Sequence, residues 1–276
     1  LADENAKKWQ VMLDLFAYKP IIQGFIVLIL TGFAFPITGV YLLRMNLLPL
    51  RFMLMHGAIL GGVLSLAMEV SPFGGTLVIN LLLVLLITWM SRSLKSDPGQ
   101  LSAFFMVLSI SLAFIFIYRY QIPAKDSLGL MWGSLYTLSS LEFWGTLLFS
   151  LLLILFQALF RHQLRAVFFD ADVAKTSGVN ESRFYYAIIL ITAITVAAAM
   201  KLIGALLLDA LLLLPALIAS YHAKSYRGMI LWASFWGGLF ATVGFLLSLI
   251  FELPASSTIA VFASIVFLFL ILAKKR

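Results

Sequence analysis

Residues 228–251 read GMILWASFWGGLFATVGFLLSLIF, twenty-four positions without one charged side chain. A helix of that length rises about 36 Å, more than the roughly 30 Å of hydrocarbon in a bilayer. Such a run in a water-soluble domain has nowhere to turn, whereas lipid accepts it on every side. Comparable apolar runs recur along the chain, near 21–43, 51–69, 76–92, 100–118, 142–160, 183–200, 203–221 and 256–273. Of these, 203–221 is the most interrupted, because Lys201 precedes it and Asp209 lies inside it. The expectation is an all-α, polytopic membrane protein of about nine transmembrane helices.

Composition agrees with that reading and removes others. Hydrophobic residues make up 63% of the chain, charged residues 11%, and the mean hydropathy is +1.06. A soluble domain with so little polar surface would lack a solvated skin. Cysteine is absent, so neither a disulfide nor a thiolate metal site is available. The net charge of +7 sits in short Lys and Arg clusters at the ends of apolar runs. It forms no basic stripe with interleaved aromatics, and nucleic acid is not an expected partner. Residues 1–18 mix Asp3, Glu4, Lys7, Lys8 and Asp14 with apolar positions. That mixture suits an amphipathic segment lying at the interface, followed by a transmembrane domain over 19–276.

Orientation follows from the basic residues. Arg44, Arg51, Arg92, Lys95, Arg161, Arg165, Lys175, Arg183, Lys224, Arg227 and the terminal Lys274-Lys275-Arg276 fall on one set of alternate loops. The other set holds only Lys7, Lys8, Lys19, Arg119, Lys125 and Lys201. The positive-inside rule places the first set in the cytoplasm, the N-terminus outside and the C-terminus inside, which needs an odd number of spans. Two connections carry structure of their own. The outer one, Arg119 to Leu141, has an apolar, Gly-containing second half expected to form a re-entrant or interfacial turn. The inner one, 161–183, is expected to hold a short helix over Asp170 to Ser177 with Gly178 as its C′ residue.

Phe169-Asp170-Ala171-Asp172-Val173-Ala174-Lys175-Thr176-Ser177-Gly178 resembles the cytoplasmic coupling segment of zinc, manganese and iron ABC importer permeases. Three further landmarks follow the same family's pattern. They are Lys201-Leu-Ile-Gly204 through Asp209 to Pro215-Ala, then Trp132-Gly133-Ser134-Leu135, and finally Arg44 through Gly61 with His56 on the second span. The resemblance implies a permease bundle in which two such chains, identical or different, form a pathway. A cytoplasmic ABC ATPase would sit below it and an extracytoplasmic solute-binding protein above, all in a bacterial cell membrane. ATP is then used by the partner ATPase, and this chain binds no cofactor itself. The same resemblance assigns His56 to metal binding and makes Asp170, Asp172, Ala174, Lys175 and Gly178 the ATPase-coupling face.

One departure from the family's pattern matters. The family carries an Asp four residues before the His, which puts two ligands on one helix face. Phe52 stands there in this chain, and Met55 replaces a small residue. Asp209, in turn, stands where the family has a small hydroxyl or aliphatic residue. Independently of any resemblance, an Asp midway along a span costs about 2.5–3.5 kcal/mol on insertion scales and marks a pathway or a buried partner. His56 and Asp209 are therefore the candidate metal ligands. A metal chelate or other small solute, or an ion-gradient-driven transporter using Asp209, is the alternative. Glu69 at a helix end, Asn80 inside a span, and His162 and His222 beside basic residues have plainer roles in headgroups and helix packing. No Walker A sequence and no His-Glu-x-x-His motif is present, so neither ATP hydrolysis nor zinc proteolysis is expected of this chain.

Overall fold

The computed structural model describes residues 18–133 and 135–274, and the described residues form helices joined by short turns, with no strand among them. In chain order they are α1 (Lys19–Arg44), α2 (Leu48–Ala67), α3 (Pro72–Ser93), α4 (Pro98–Arg119), α5 (Ala124–Trp132) and α6 (Ser140–Leu159). Then come α7 (Arg161–Phe169), α8 (Ala171–Thr176), α9 (Glu181–Leu212), α10 (Leu214–His222), α11 (Tyr226–Ile250) and α12 (Ala255–Lys274). The amphipathic segment expected at the N-terminus lies outside the described residues, save Tyr18.

Where nine full spans are expected, eight helices among the described residues are long and apolar enough to cross a membrane. The difference lies at 203–221. Gly204 interrupts α9 with φ 75° and ψ 170°, a conformation that breaks the ladder of i→i−4 hydrogen bonds. Beyond the break the chain forms a shorter apolar helix, Leu207–His222, running through the turn at Leu213 into α10. Sixteen residues of helix rise about 24 Å, short of the hydrocarbon thickness.

The chain divides into two compact units. The first comprises residues 1–40, 134–154 and 206–276. Its core forms where α11 packs against α10, α12 and α1. Gly32 and Gly237 pack backbone to backbone, and a Cβ on Gly32 would stand 2.9 Å from the Gly237 carbonyl oxygen. Phe25 and Phe245 lie 5.0 Å apart between ring centroids, and Phe240 meets Phe262 edge-on at 5.9 Å. In lipid no hydrophobic force draws helices together, so close approach through small residues supplies the contact area instead.

The second unit comprises residues 41–133 and 155–205. Here α2 packs against both α3 and α4. Gly61 and Gly75 bring α2 and α3 together so closely that a Cβ on Gly75 would stand 2.6 Å from the Gly61 carbonyl oxygen. Thr76 on α3 donates to the Ala58 carbonyl of α2 at 3.2 Å, a cross-helix bond on the same seam. The connection after α4 folds into α5, and Gly133 caps it with φ 75° while its N–H donates to the Gly129 carbonyl at 3.0 Å.

Candidate transport pathway and coupling segment

His56 is half-buried on α2. Its Nδ1 lies 2.8 Å from the Phe52 carbonyl oxygen, one turn back. A carbonyl oxygen only accepts, so Nδ1 carries a proton in this contact, and Nε2 is the ring nitrogen left for a ligand. That is the arrangement in which a second hydrogen bond fixes the tautomer of a ligating imidazole. The same bond equally satisfies a histidine that only packs. Phe52, which stands in the position of the family's carboxylate, is 40% exposed, and the buried Arg51 guanidinium lies 4.0 Å over its ring. Beside His56 a cation–π pair therefore stands where the resemblance leads to the expectation of a carboxylate.

Asp209 is half-buried on α9, just past the Gly204 break, and its backbone carbonyl accepts from Leu213 N at 3.0 Å. His56 belongs to one unit and Asp209 to the other. Among the described residues no group of three or more His, Cys, Asp or Glu is gathered as a metal cage.

Gly133 and Gly204, two landmarks 71 positions apart in the sequence, meet within the second unit. A Cβ on Gly133 would collide with the Gly204 backbone nitrogen and stand 2.6 Å from the Ile203 carbonyl carbon. Both residues hold φ 75° with ψ near 180°, a region that side-chain-bearing residues pay heavily to enter. The end of α5 is thus pressed onto the break in α9 by two residues that have no side chains.

The predicted coupling segment is two helices, α7 and α8, where one short helix over Asp170–Ser177 is expected. Asp170 separates them in extended conformation, φ −164° and ψ 135°, and its carbonyl accepts from Ala174 N at 3.0 Å to start α8. Gly178 N–H returns to the Lys175 carbonyl at 3.0 Å and Val179 N–H to the Ala174 carbonyl at 2.9 Å. With Gly178 at φ 76°, these two bonds form a Schellman ending, and Gly178 is its C′ residue. Ala174 is fully buried, Lys175 is exposed and lies 3.6 Å from Glu181, and Asp172 falls inside α8. Among the segment's described side chains, Phe169, at 81% exposure, is the most prominent outward apolar one. Leu164, Val167 and Ala174 make the opposite, inward face.

The model of the ABC 3 transport family matches residues 17–274. The chain belongs to that family. Curated relatives of this ABC 3 member include the manganese import system permease protein ScaB of Streptococcus gordonii, 26% identical over 80% of each chain. The high-affinity zinc uptake system membrane protein ZnuB of Haemophilus influenzae is 22% identical, covering 81% of this chain and 85% of its own. Among solved structures, PsaBC from Streptococcus pneumoniae in complex with Fab superposes with a TM-score of 0.81 at 21% identity, covering 95% of this chain and 94% of that one. A metal-chelate type ABC transporter in an inward-facing conformation gives 0.76 at 17% identity, covering 91% and 86%. These likenesses establish a permease fold for this ABC 3 chain. Tyr41, Gln157 and Phe168, which meet beside the coupling segment, escape sequence reasoning, because a single Tyr or Gln near a helix end carries no signal of its partner.

Proposed function

We propose that this chain is the membrane permease of an ATP-driven importer whose cargo is a divalent transition metal, zinc, manganese or iron. The family match over nearly the whole chain carries the reading, and the capped, two-faced α7–α8 segment supports it. A pair of such permeases would line the pathway, with a solute-binding protein delivering cargo from outside and a separate ABC ATPase docking on Phe169, Asp170 and the α8 helix. The chain would lie in a bacterial cell membrane, among lipid, with its N-terminus outside and its C-terminus in the cytoplasm, as its basic residues direct. His56 offers Nε2 and Asp209 a carboxylate, donors suited to zinc- or manganese-like ions. The chain itself holds no cofactor, and ATP is consumed by the partner.

A metal chelate is the second reading, favoured by Phe52 in place of a carboxylate. Uptake of radiolabelled zinc, manganese and iron by cells expressing the whole transporter separates the two. The expected result is ATP-dependent uptake of one metal that Asp209→Asn and His56→Ala both abolish while the complex still assembles. Wild-type uptake by Asp209→Asn would remove that carboxylate from the pathway. An intact complex that moves no bare metal turns the assignment to a chelate.

A further inference from the structure

Tyr41 lies near the end of α1 and is fully buried. Its O–H donates to Oε1 of Gln157 at 2.7 Å, and Gln157, near the end of α6, is 9% exposed. The Tyr41 ring lies 5.5 Å from the ring of Phe168, centroid to centroid, tilted by 35°. Phe168 belongs to α7, and its chain neighbour Phe169 points outward. Two membrane helices and the first helix of the polar segment therefore meet at one side chain, within the second unit. A phenol and a carboxamide withdrawn from water are costly unless they satisfy each other, so the short bond fixes both rotamers. An aromatic pair of this geometry adds a contact that resists sliding.

We infer that Tyr41 is a positioning residue, the joint through which displacement of the α7–α8 segment is passed to α1 and α6. The inference rests on the importer reading. Its physical basis is continuity. Phe169 is free to take a load from a docked partner, Phe168 beside it bears on the Tyr41 ring, and the Tyr41 hydroxyl holds Gln157 on the neighbouring span. Packed elements of this kind shift between discrete arrangements and do not deform smoothly. A break in the chain of contacts should therefore cost coupling more than it costs assembly.

The test uses the purified permease–ATPase complex in liposomes, with radiolabelled manganese and zinc as cargo and the ratio of metal moved to ATP hydrolysed as the readout. Tyr41→Phe removes only the hydroxyl, Gln157→Leu removes the same bond from the other side, and Phe168→Ala removes the ring contact. Each should keep co-purification with the ATPase and ATP hydrolysis near wild type, while metal moved per ATP falls about fivefold or more, the scale of one buried hydrogen bond. Tyr41→Phe combined with Gln157→Leu should lose less than the sum of the two separate losses, since both remove the shared Tyr41–Gln157 bond. Should Tyr41→Phe fail to assemble, Gln157→Leu decides alone. An unchanged ratio in the assembled variants, or additive losses in the double variant, overturns the joint while leaving the importer standing. A wild-type complex whose uptake ignores ATP overturns the importer reading, and the joint with it.

Discussion

At the scale of single residues the open issue is what Phe52 does to its neighbour. The His56 ring is oriented by the Phe52 backbone, through a 2.8 Å contact to the carbonyl oxygen, so the side chain at position 52 is free to vary without disturbing the tautomer. A carboxylate there would lie one helical turn from His56, on the same face. It would also lie near the Arg51 guanidinium, which now sits 4.0 Å over the Phe52 ring. The two attractions compete, but a divalent ion carries twice the charge of the guanidinium and takes oxygen and imidazole ligands together. Phe52→Asp is therefore expected to lower the half-saturating concentration of manganese or zinc about tenfold, within the range by which ligand-shell changes alter metal affinity. Uptake kinetics over a metal titration measure it. An unchanged half-saturation would place His56 off the pathway or leave the new carboxylate tied to Arg51.

At the scale of elements, two glycines with the same backbone angle have opposite surroundings. Gly133 and Gly178 hold φ 75° and 76°, yet a Cβ on Gly178 meets nothing within 4 Å while one on Gly133 strikes the α9 break. Gly178→Ala should cost only the conformational penalty, about 1 kcal/mol or slightly more. Gly133→Ala should cost about 1–3 kcal/mol for conformation alone and more for the collision, because backbone atoms cannot step aside. Thermal melting of the purified permease, read beside its yield, should rank Gly178→Ala near wild type and Gly133→Ala far below. Equal melting points would mean that the end of α5 does not bear on α9. Both glycines are visible in the sequence, and the C′ position of Gly178 is legible there because a Schellman ending is local. The meeting of Gly133 with Gly204 is not, since apolar periodicity describes one helix at a time and carries no partner. The same limit hides the bond from Tyr41 to Gln157. The cost of an intramembrane carboxylate makes Asp209 conspicuous in the sequence, but cost alone does not say what it faces.

At the scale of the whole molecule, the number of crossings turns on Leu207–His222, the apolar helix shorter than a full span. Apolar length identifies the other eight spans directly, and here it falls short because Gly204 cuts the run. If this helix crosses, Lys224 and Arg227 reach the same side as Arg44, Arg92 and Arg161, together with the C-terminal cluster. If it does not, those charges are translocated, against the bias that orients membrane helices. The missing length, about 6 Å, is within what local thinning of the bilayer and snorkelling of flanking residues supply. A crossing therefore costs less than moving Lys224, Arg227 and the terminal Lys274-Lys275-Arg276 to the wrong side. The chain contains no cysteine, so single cysteines report position without background. In intact cells a membrane-impermeant maleimide should label Asp126→Cys at once. Ser177→Cys and Lys224→Cys should react only after the membrane is opened. Labelling of Lys224→Cys from outside, with Ser177→Cys protected, would show that Leu207–His222 turns back within the bilayer and that eight helices cross.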